Sequence, residues 1–198
     1  MSTALVREAQ GVGLATQSHY VIKRKAFAFL ERIFRVYTGD GQMFMYVQHP
    51  VMKLREEFMV YSDESKATAL LKVKSRQALA INFSYDVEDV VTGKQLGAVE
   101  KKGLKSIIRD KFIITDANGA EIGYAEEQGN SVLRRIFKFL TSKHAIFVGG
   151  QQVAFIKQNF KWFAKEWEVD LQPSQMDPRF VLAVALLALI ADARRQDR

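Results

Sequence analysis

Short runs of alternating hydrophobic and polar residues cover most of the chain, and turn residues separate these runs at regular intervals. Such runs predict β-strands, and two runs joined by Gly, Asn or Asp predict a hairpin. The pattern predicts five hairpins, with turns at residues 38–42, 62–65, 92–94, 116–119 and 149–150. Strands at this spacing are typical of an antiparallel sandwich or barrel.

The third and fourth hairpins have similar sequences. Each has an acidic residue before the turn, a glycine within it and an aliphatic-Gly step after it, which is Leu96-Gly97 in one and Ile122-Gly123 in the other. Two interpretations stay open. The hairpins are copies of one unit, or any meander converges on this turn chemistry.

Three features interrupt the strand pattern. Pro50 predicts that the strand 43–48 ends before it, because proline cannot donate a hydrogen bond to a β-ladder. Residues 103–110 form a basic segment of one or two predicted helical turns. Residues 131–140 place apolar side chains at helical spacing, with Arg134, Arg135 and Lys138 on the other side.

Twelve consecutive apolar residues occupy positions 180–191, near the C-terminus. Asp177 and Pro178 precede them and suit the N-cap and first turn of a helix. At about 1.5 Å per residue the run is about 18 Å long, whereas the core of a bilayer is about 30 Å thick. A helix that is apolar on every side and too short to span a membrane must be enclosed by protein.

A closed barrel supplies such an enclosure. A barrel of about eleven strands can surround a central helix, and the chain has room for about ten to twelve. We therefore predict a mainly β fold, in which a closed antiparallel barrel surrounds a hydrophobic C-terminal helix.

Composition is consistent with one globular domain. The 198 residues are 48% hydrophobic and 26% charged, and no stretch rich in Pro, Gly or Ser divides them. We expect a loosely ordered lead-in at 1–19 and a single barrel domain at 20–198, with its core helix at about 177–195. The absence of cysteine excludes disulfides, thiolate nucleophiles and cysteine metal ligands, and fits a cytoplasmic location.

Motifs of catalysis are absent from the sequence. It contains no Gly-x-Ser-x-Gly elbow, no phosphate-binding loop and no His-Glu-x-x-His. The widely spaced histidines, His19, His49 and His144, are interpreted as surface or partly satisfied residues, and the pairs 56–57 and 126–127 as solvated glutamates at strand ends. We expect no catalytic residue, no metal site and no cofactor, and hence no enzyme.

The order of the turn motifs along the chain resembles the LURP-one-related family, which belongs with tubby C-terminal-like proteins and phospholipid scramblases. The resemblance covers about residues 20–191. It implies a closed antiparallel barrel of about twelve strands around a central hydrophobic helix. The motifs are Tyr85-Asp-Val-x-Asp-x-x-Thr-Gly-x-x-Leu-Gly97, Lys101-Lys-Gly-Leu-Lys-Ser106, Arg109-Asp110, Asp116-x-x-Gly-x-x-Ile-Gly123, Gly150-x-x-Val-Ala-x-Ile-Lys-Gln158 and Asp177-Pro-Arg179.

The resemblance also implies a function class. Tubby-like domains bind phosphoinositides in membranes, and scramblases are associated with lipid movement. This chain lacks the proline-rich N-terminal region and the cysteine cluster of scramblases, so lipid scrambling and acyl anchoring are not expected.

Basic residues are the remaining chemical signal. The net charge is +7, and two groups of Lys and Arg lie beside apolar residues, a pattern that suits an anionic membrane surface. A third group occupies 23–25. The candidate residues for binding anionic phospholipid headgroups are Lys101, Lys102, Lys105, Arg109, Lys111, Arg134, Arg135, Lys138 and Lys143.

The basic groups also allow a function without lipid. They could be a solvated rim on a protein-interaction scaffold that has no lipid ligand. Nucleic acid is a competing polyanion, but no RNA-binding signature accompanies the aromatic residues. Our prediction is a monomeric module without enzymatic activity, peripheral at a membrane, whose partner is either an anionic lipid surface or a protein.

Overall fold

The computed structural model describes residues 17–25, 31–50, 57–76, 84–101, 111–129, 141–162 and 164–196. Within these ranges the chain forms twelve β-strands and one α-helix. The strands are β1 His19–Lys25, β2 Glu31–Thr38, β3 Met43–Pro50, β4 Glu57–Tyr61, β5 Ala69–Ser75, β6 Ser84–Asp89, β7 Gln95–Glu100, β8 Lys111–Thr115, β9 Glu121–Gln128, β10 Lys143–Val148, β11 Gln151–Asn159 and β12 Ala164–Leu171, and the helix is α1 Pro178–Gln196.

The strands close into an antiparallel barrel. Each strand pairs with its neighbours in sequence, and β1 closes the barrel by pairing with β12, from His19 opposite Asp170 to Lys25 opposite Ala164. Closure leaves no free sheet edge, which removes the usual route to edge-to-edge association. The predicted mainly β fold, a closed barrel of about twelve strands, is confirmed.

Because all pairs are antiparallel, successive connections alternate between the two ends of the barrel. The lower end holds the turns of five hairpins and the link 172–177 to α1. The upper end holds the other six connections, one of which is 160–163 between β11 and β12. The helix begins at the lower end and runs towards the upper end.

The five lower hairpins share a second feature beyond the turn chemistry that two of them have in common. Each has a register shift one or two residues before its turn, for example between Val87 and Glu88 in β6 and between Ile114 and Thr115 in β8. Bulges of this kind increase local twist and help a sheet to close. The repeated unit is thus a hairpin with a bulge beside its turn.

Helix α1 fills the barrel. The Asp177 carboxylate accepts a hydrogen bond from the backbone N–H of Arg179 at 2.8 Å, so the predicted N-cap is confirmed. Every side chain from position 180 to 190 is buried, which places the helix on the barrel axis, in contact with β7, β9 and β11. No helix among the described residues combines the length and the hydrophobicity that crossing a bilayer requires.

The start of the helix is attached to the β6–β7 hairpin. Arg179 Nη2 donates to Asp89 Oδ2 at 2.6 Å, and Asp89 also accepts the backbone N–H groups of Val91 and Thr92. Burial by itself would raise the pKa of Asp89, but the Thr92 amide and the Arg179 guanidinium outweigh it and hold the pKa below its ordinary value. The Asp177-Pro-Arg179 motif therefore has a structural role. Together with Asp89, Arg179 and Asp177 form a clamp that joins the start of the helix to the barrel wall.

Strand β3 is longer than the sequence predicted. It runs to Pro50, which lies opposite Glu31, so the prediction that this strand ends at residue 48 was two residues short. As the last residue of its strand, proline removes only one terminal donor from the ladder. The helical turns predicted at 103–110 and 131–140 lie outside the described residues.

Candidate functional site

The connections at the two ends of the barrel have sequences of opposite charge, although most of the upper connections lie outside the described residues. The six upper connections contain eleven Lys and Arg against two Asp and Glu, a net charge of +9. The six lower connections contain two Lys against five Asp and Glu, a net charge of −3. The upper basic residues are Lys53, Arg55, Arg76, Lys101, Lys102, Lys105, Arg109, Arg134, Arg135, Lys138 and Lys161.

Three of the nine candidate headgroup-binding residues lie in the described part of the chain, and all three are at the upper end. Lys101 follows β7, Lys111 begins β8 and Lys143 begins β10. Lys111 is exposed, and its Nζ lies 3.8 Å from the centroid of the Tyr124 ring. The other six are outside the described residues: Lys102, Lys105, Arg109, Arg134, Arg135 and Lys138.

Lys143 has a second lysine directly beside it. It lies opposite Lys157 in the β10–β11 ladder, and both side chains are exposed. Like charges in opposite positions of an antiparallel pair repel each other. Lys157 also lies opposite Glu168 in the β11–β12 ladder, but among the described residues neither ammonium group has a carboxylate within 4.0 Å, so an external anion would relieve the repulsion.

The β11–β12 connection presents two aromatic side chains beside these lysines. Trp162 is 81% exposed and Phe160 is 52% exposed, and their rings contact edge to face with centroids 5.2 Å apart. Lys161 stands between them in sequence and is also exposed, with its Nζ 3.9 Å from Glu166. We call the described residues of this segment, 157–162, 164 and 165, the aromatic tip.

A polar cluster lies inside the barrel beneath the upper end. Arg194, near the end of α1, donates to the Tyr85 hydroxyl at 2.9 Å and contacts His49 Nε2 at 3.4 Å. Burial, and then the charges of Arg194 and Arg32, lower the pKa of His49 to about 3. His49 is therefore neutral at physiological pH, and Nε2 must be its acceptor because a guanidinium can only donate. The cluster fixes the end of the helix to β3 and β6.

A second contact between the helix and the barrel wall involves β10. His144 Nε2 lies 3.3 Å from Asp192 Oδ2, and both side chains are buried. Of the two alternatives predicted for the histidines, surface or partly satisfied, the first was wrong for His49 and His144, because both side chains are buried. Glu127 is also buried, which corrects its interpretation as a solvated strand end. His19 is partly exposed and contacts Asp170 at 2.7 Å.

A groove of about 590 Å³ lies on the lower part of the barrel. Ile122, Val148 and Met176 line it together with uncharged polar side chains, and its lining includes no His, Asp or Glu. The described residues include no group of three or more His, Cys, Asp or Glu close enough to hold a metal ion. The groove offers apolar contact without a group that transfers protons.

A family model described as LURP-one-related matches residues 18–188. The chain belongs to the LURP-one-related family. Comparisons with curated proteins and with solved structures find no significant match. The resemblance inferred from the turn motifs is confirmed, and the match spans every strand and most of α1.

Four of the six motifs that carried the LURP-one-related resemblance meet at the lower end, those at 85–97, 116–123, 150–158 and 177–179. A Cβ on Gly97 would lie 2.7 Å from Phe180 Cζ, and one on Gly123 would lie 2.0 Å from the Phe147 carbonyl oxygen. Both aliphatic-Gly steps are therefore places where another element approaches the strand closely. These motifs build the barrel and seat the helix, and the charged surface lies at the opposite end.

Sequence reasoning missed the aromatic tip. It named no aromatic residue as a candidate for binding, whereas Phe160 and Trp162 are exposed aromatic side chains among the described residues. A signal was present, because both residues follow the motif that ends at Gln158 and are separated by a lysine. Bulky apolar residues beyond the end of a strand have no inward-facing position to occupy.

Proposed function

We propose that this LURP-one-related barrel is a peripheral membrane-binding module that attaches its upper end to anionic phospholipid headgroups. The observation that supports this proposal is the opposite sequence charge of the connections at the two ends, +9 in the upper connections and −3 in the lower ones. An anionic surface attracts the first and repels the second, so the barrel would approach with its axis steeply inclined to the membrane.

The magnitudes are sufficient for reversible binding. Each basic residue near an anionic leaflet contributes about 1 kcal/mol. Five or six residues acting together would give about 5–6 kcal/mol, a dissociation constant of about 0.1 mM expressed in accessible lipid. The attraction falls off within a Debye length of about 8 Å at physiological salt, so only residues at the very end of the barrel contribute.

Sedimentation with vesicles tests the proposal. The whole chain is mixed with neutral phosphatidylcholine vesicles and with vesicles that also contain about 30 mol% phosphatidylserine, at low and high salt. We expect binding to the anionic vesicles only, and its loss at high salt. Equal retention on both vesicle types, or no retention on either, would overturn the proposal.

Charge-reversal variants locate the surface. Lys143→Glu combined with Lys157→Glu is expected to weaken the affinity at least about thirtyfold, from about 1 kcal/mol for each basic residue removed from the surface. Lys94→Glu is the matched control, since Lys94 is an exposed lysine at the lower end. A triple change of Lys101, Lys102 and Lys105 to Glu should also weaken binding.

The alternative is a protein-interaction scaffold with no lipid ligand, and the apolar groove at the lower end is the observation that favours it. The same vesicle experiment separates the two functions. A scaffold that uses the groove would ignore vesicle charge, and Lys143→Glu would leave its interactions unchanged.

A further inference from the structure

The aromatic tip is an unusual piece of surface for this protein. Apart from Phe160 and Trp162, the only large apolar side chain exposed among the described residues is Val91, at 48% and at the lower end. Large aromatic side chains contribute strongly to binding when buried and are seldom left this exposed without a use. We therefore expect a bound partner or a lipid surface to cover this pair.

The tip is held firmly by the barrel. Asn159 Nδ2 donates to Glu168 at 3.0 Å and to Glu166 at 3.3 Å, across the last paired residues of β11 and β12. On the other side, Gln158 Oε1 accepts hydrogen bonds from the backbone N–H and the hydroxyl of Ser142. The residues that precede the aromatic pair are thus hydrogen-bonded on both sides, to Ser142 before β10 and to β12.

The charges around the aromatic tip indicate which kind of surface covers the two rings. Lys157, Lys161 and Lys165 lie in the same segment, and Lys143 lies opposite Lys157. Glu166 contacts Lys161 and Lys23 at 3.9 Å each, so part of this charge is balanced. Aromatic rings among lysines suit the boundary between anionic headgroups and acyl chains, where Trp resides preferentially and Lys meets phosphate.

We propose that Phe160 and Trp162 insert into the interfacial region of an anionic bilayer and anchor the barrel there. This inference rests on the proposed function and adds a second, apolar source of affinity to the electrostatic one. Its consequence is that binding begins as a salt-sensitive contact and then acquires a part that salt does not remove, because burial of apolar surface is not screened.

The chain provides its own reporter. It contains two tryptophans, and Trp167 is buried, with its indole N–H 3.4 Å from Ser142 Oγ. Changes in Trp emission on adding vesicles would therefore come from Trp162. The test uses phosphatidylcholine vesicles with about 30 mol% phosphatidylserine, in which part of the lipid carries bromine at a shallow or a deep acyl position.

We expect a blue shift of emission and stronger quenching by shallow than by deep bromine. Trp162→Phe should bind as the wild type does but lose the quenching. Trp162→Ala should weaken binding about tenfold and lose the salt-resistant part, while Val91→Ala at the lower end should change neither. Thermal unfolding of each variant checks that the fold is intact.

The outcomes separate this inference from the proposed function. If the protein binds anionic vesicles but bromine leaves its emission unchanged and Trp162→Ala binds normally, insertion is wrong and the electrostatic attachment stands. If the protein binds no vesicles, both are wrong. If Trp162 is covered only when a protein partner is added, the tip is a protein-binding surface and insertion is likewise overturned.

Discussion

At the scale of single residues, the strongest constraints are steric ones at the lower end. Gly97 and Gly123 occupy equivalent places in two similar hairpins, and a side chain at either would enter space held by another element. The recurrence of glycine at this place in both hairpins therefore has a packing cause. It gives the repeated sequence pattern a physical meaning.

Gly97→Ala is expected to destabilise the protein. The added Cβ would lie 2.3 Å from the Thr115 carbonyl oxygen and 2.7 Å from Phe180 Cζ, so β8 and the first turn of α1 would both have to move. Forcing carbon into a packed core costs about 1–3 kcal/mol of unfolding free energy. Urea unfolding measures it, with Gly39→Ala as the control because a Cβ there meets only ordinary contacts at 3.5–3.6 Å. Equal stability of the two variants would contradict the steric explanation.

His49 predicts a dependence of stability on pH. Its pKa is about 3 in the folded protein, against an ordinary 6.5, because it is buried beside Arg194 and Arg32. Between these values the unfolded chain binds the additional proton, so the free energy of unfolding falls as pH falls through this window. The group accounts for a loss of about 2 kcal/mol between about pH 7 and about pH 5.

His49→Gln isolates this contribution, since glutamine does not titrate. Urea unfolding at both pH values should show a smaller loss in the variant than in the wild type, by about the same 2 kcal/mol. The difference in the free energy of unfolding between the two proteins at neutral pH reports packing alone. Parallel curves for the two proteins would show that His49 remains able to take up a proton in the fold.

At the scale of elements, α1 and its enclosure depend on each other. A helix with apolar side chains on every face has no stable position in water, and a twelve-stranded barrel without it would be hollow. The clamp of Arg179 with Asp89 and Asp177 fixes the lower end of the helix, and Arg194 and Asp192 attach the upper end to the wall. Helix and barrel should therefore unfold together.

Leu186→Asp should prevent folding. Leu186 lies in the middle of α1 and is buried, so the carboxylate would be enclosed without a partner or would force the helix out of the barrel. Soluble yield and near-UV circular dichroism measure the result. Leu186→Met is the control and should lose less than about 1.5 kcal/mol, since it nearly preserves volume. A soluble, well-folded Leu186→Asp protein would contradict the enclosed helix.

Element types followed from the sequence because their signals are local. Alternation, turn glycines and the N-cap Asp177 each act within a few residues, and the five hairpins and the helix appear where these signals predicted them. The buried cluster around His49 and the pairing of His144 with Asp192 did not follow, since these contacts join residues far apart in sequence. The aromatic tip was missed because an exposed Trp and a core Trp look alike until the strand ends are known.

At the scale of the whole molecule, the charge of the connections differs between the two ends of the barrel. Antiparallel closure sends alternate connections to opposite ends, and eleven of the thirteen Lys and Arg in the connections belong to the upper set. The helix runs from the acidic lower end to the basic upper end, so the partial charges of its termini oppose the surface charge at each end. A gradient of this kind is invisible in the net charge of +7 and becomes apparent only through the topology.

This polarity predicts one orientation on a membrane, and the absence of cysteine makes it measurable. A single cysteine introduced anywhere is the sole labelling site, so an environment-sensitive fluorophore can be placed at Ala164→Cys on the upper end or at Thr92→Cys on the lower end. Both native residues are exposed, which leaves the core undisturbed.

On anionic vesicles the upper label should shift to the blue and become shielded from an aqueous quencher, whereas the lower label should keep its emission in water. The two labels should respond differently because they are far apart. Strands of six to eight residues, at about 3.3 Å per residue, separate them, so the lower label lies well beyond a Debye length of about 8 Å from the bound surface. Equal shifts at both sites would mean that the barrel lies on its side, and the charge gradient would then not determine how it binds.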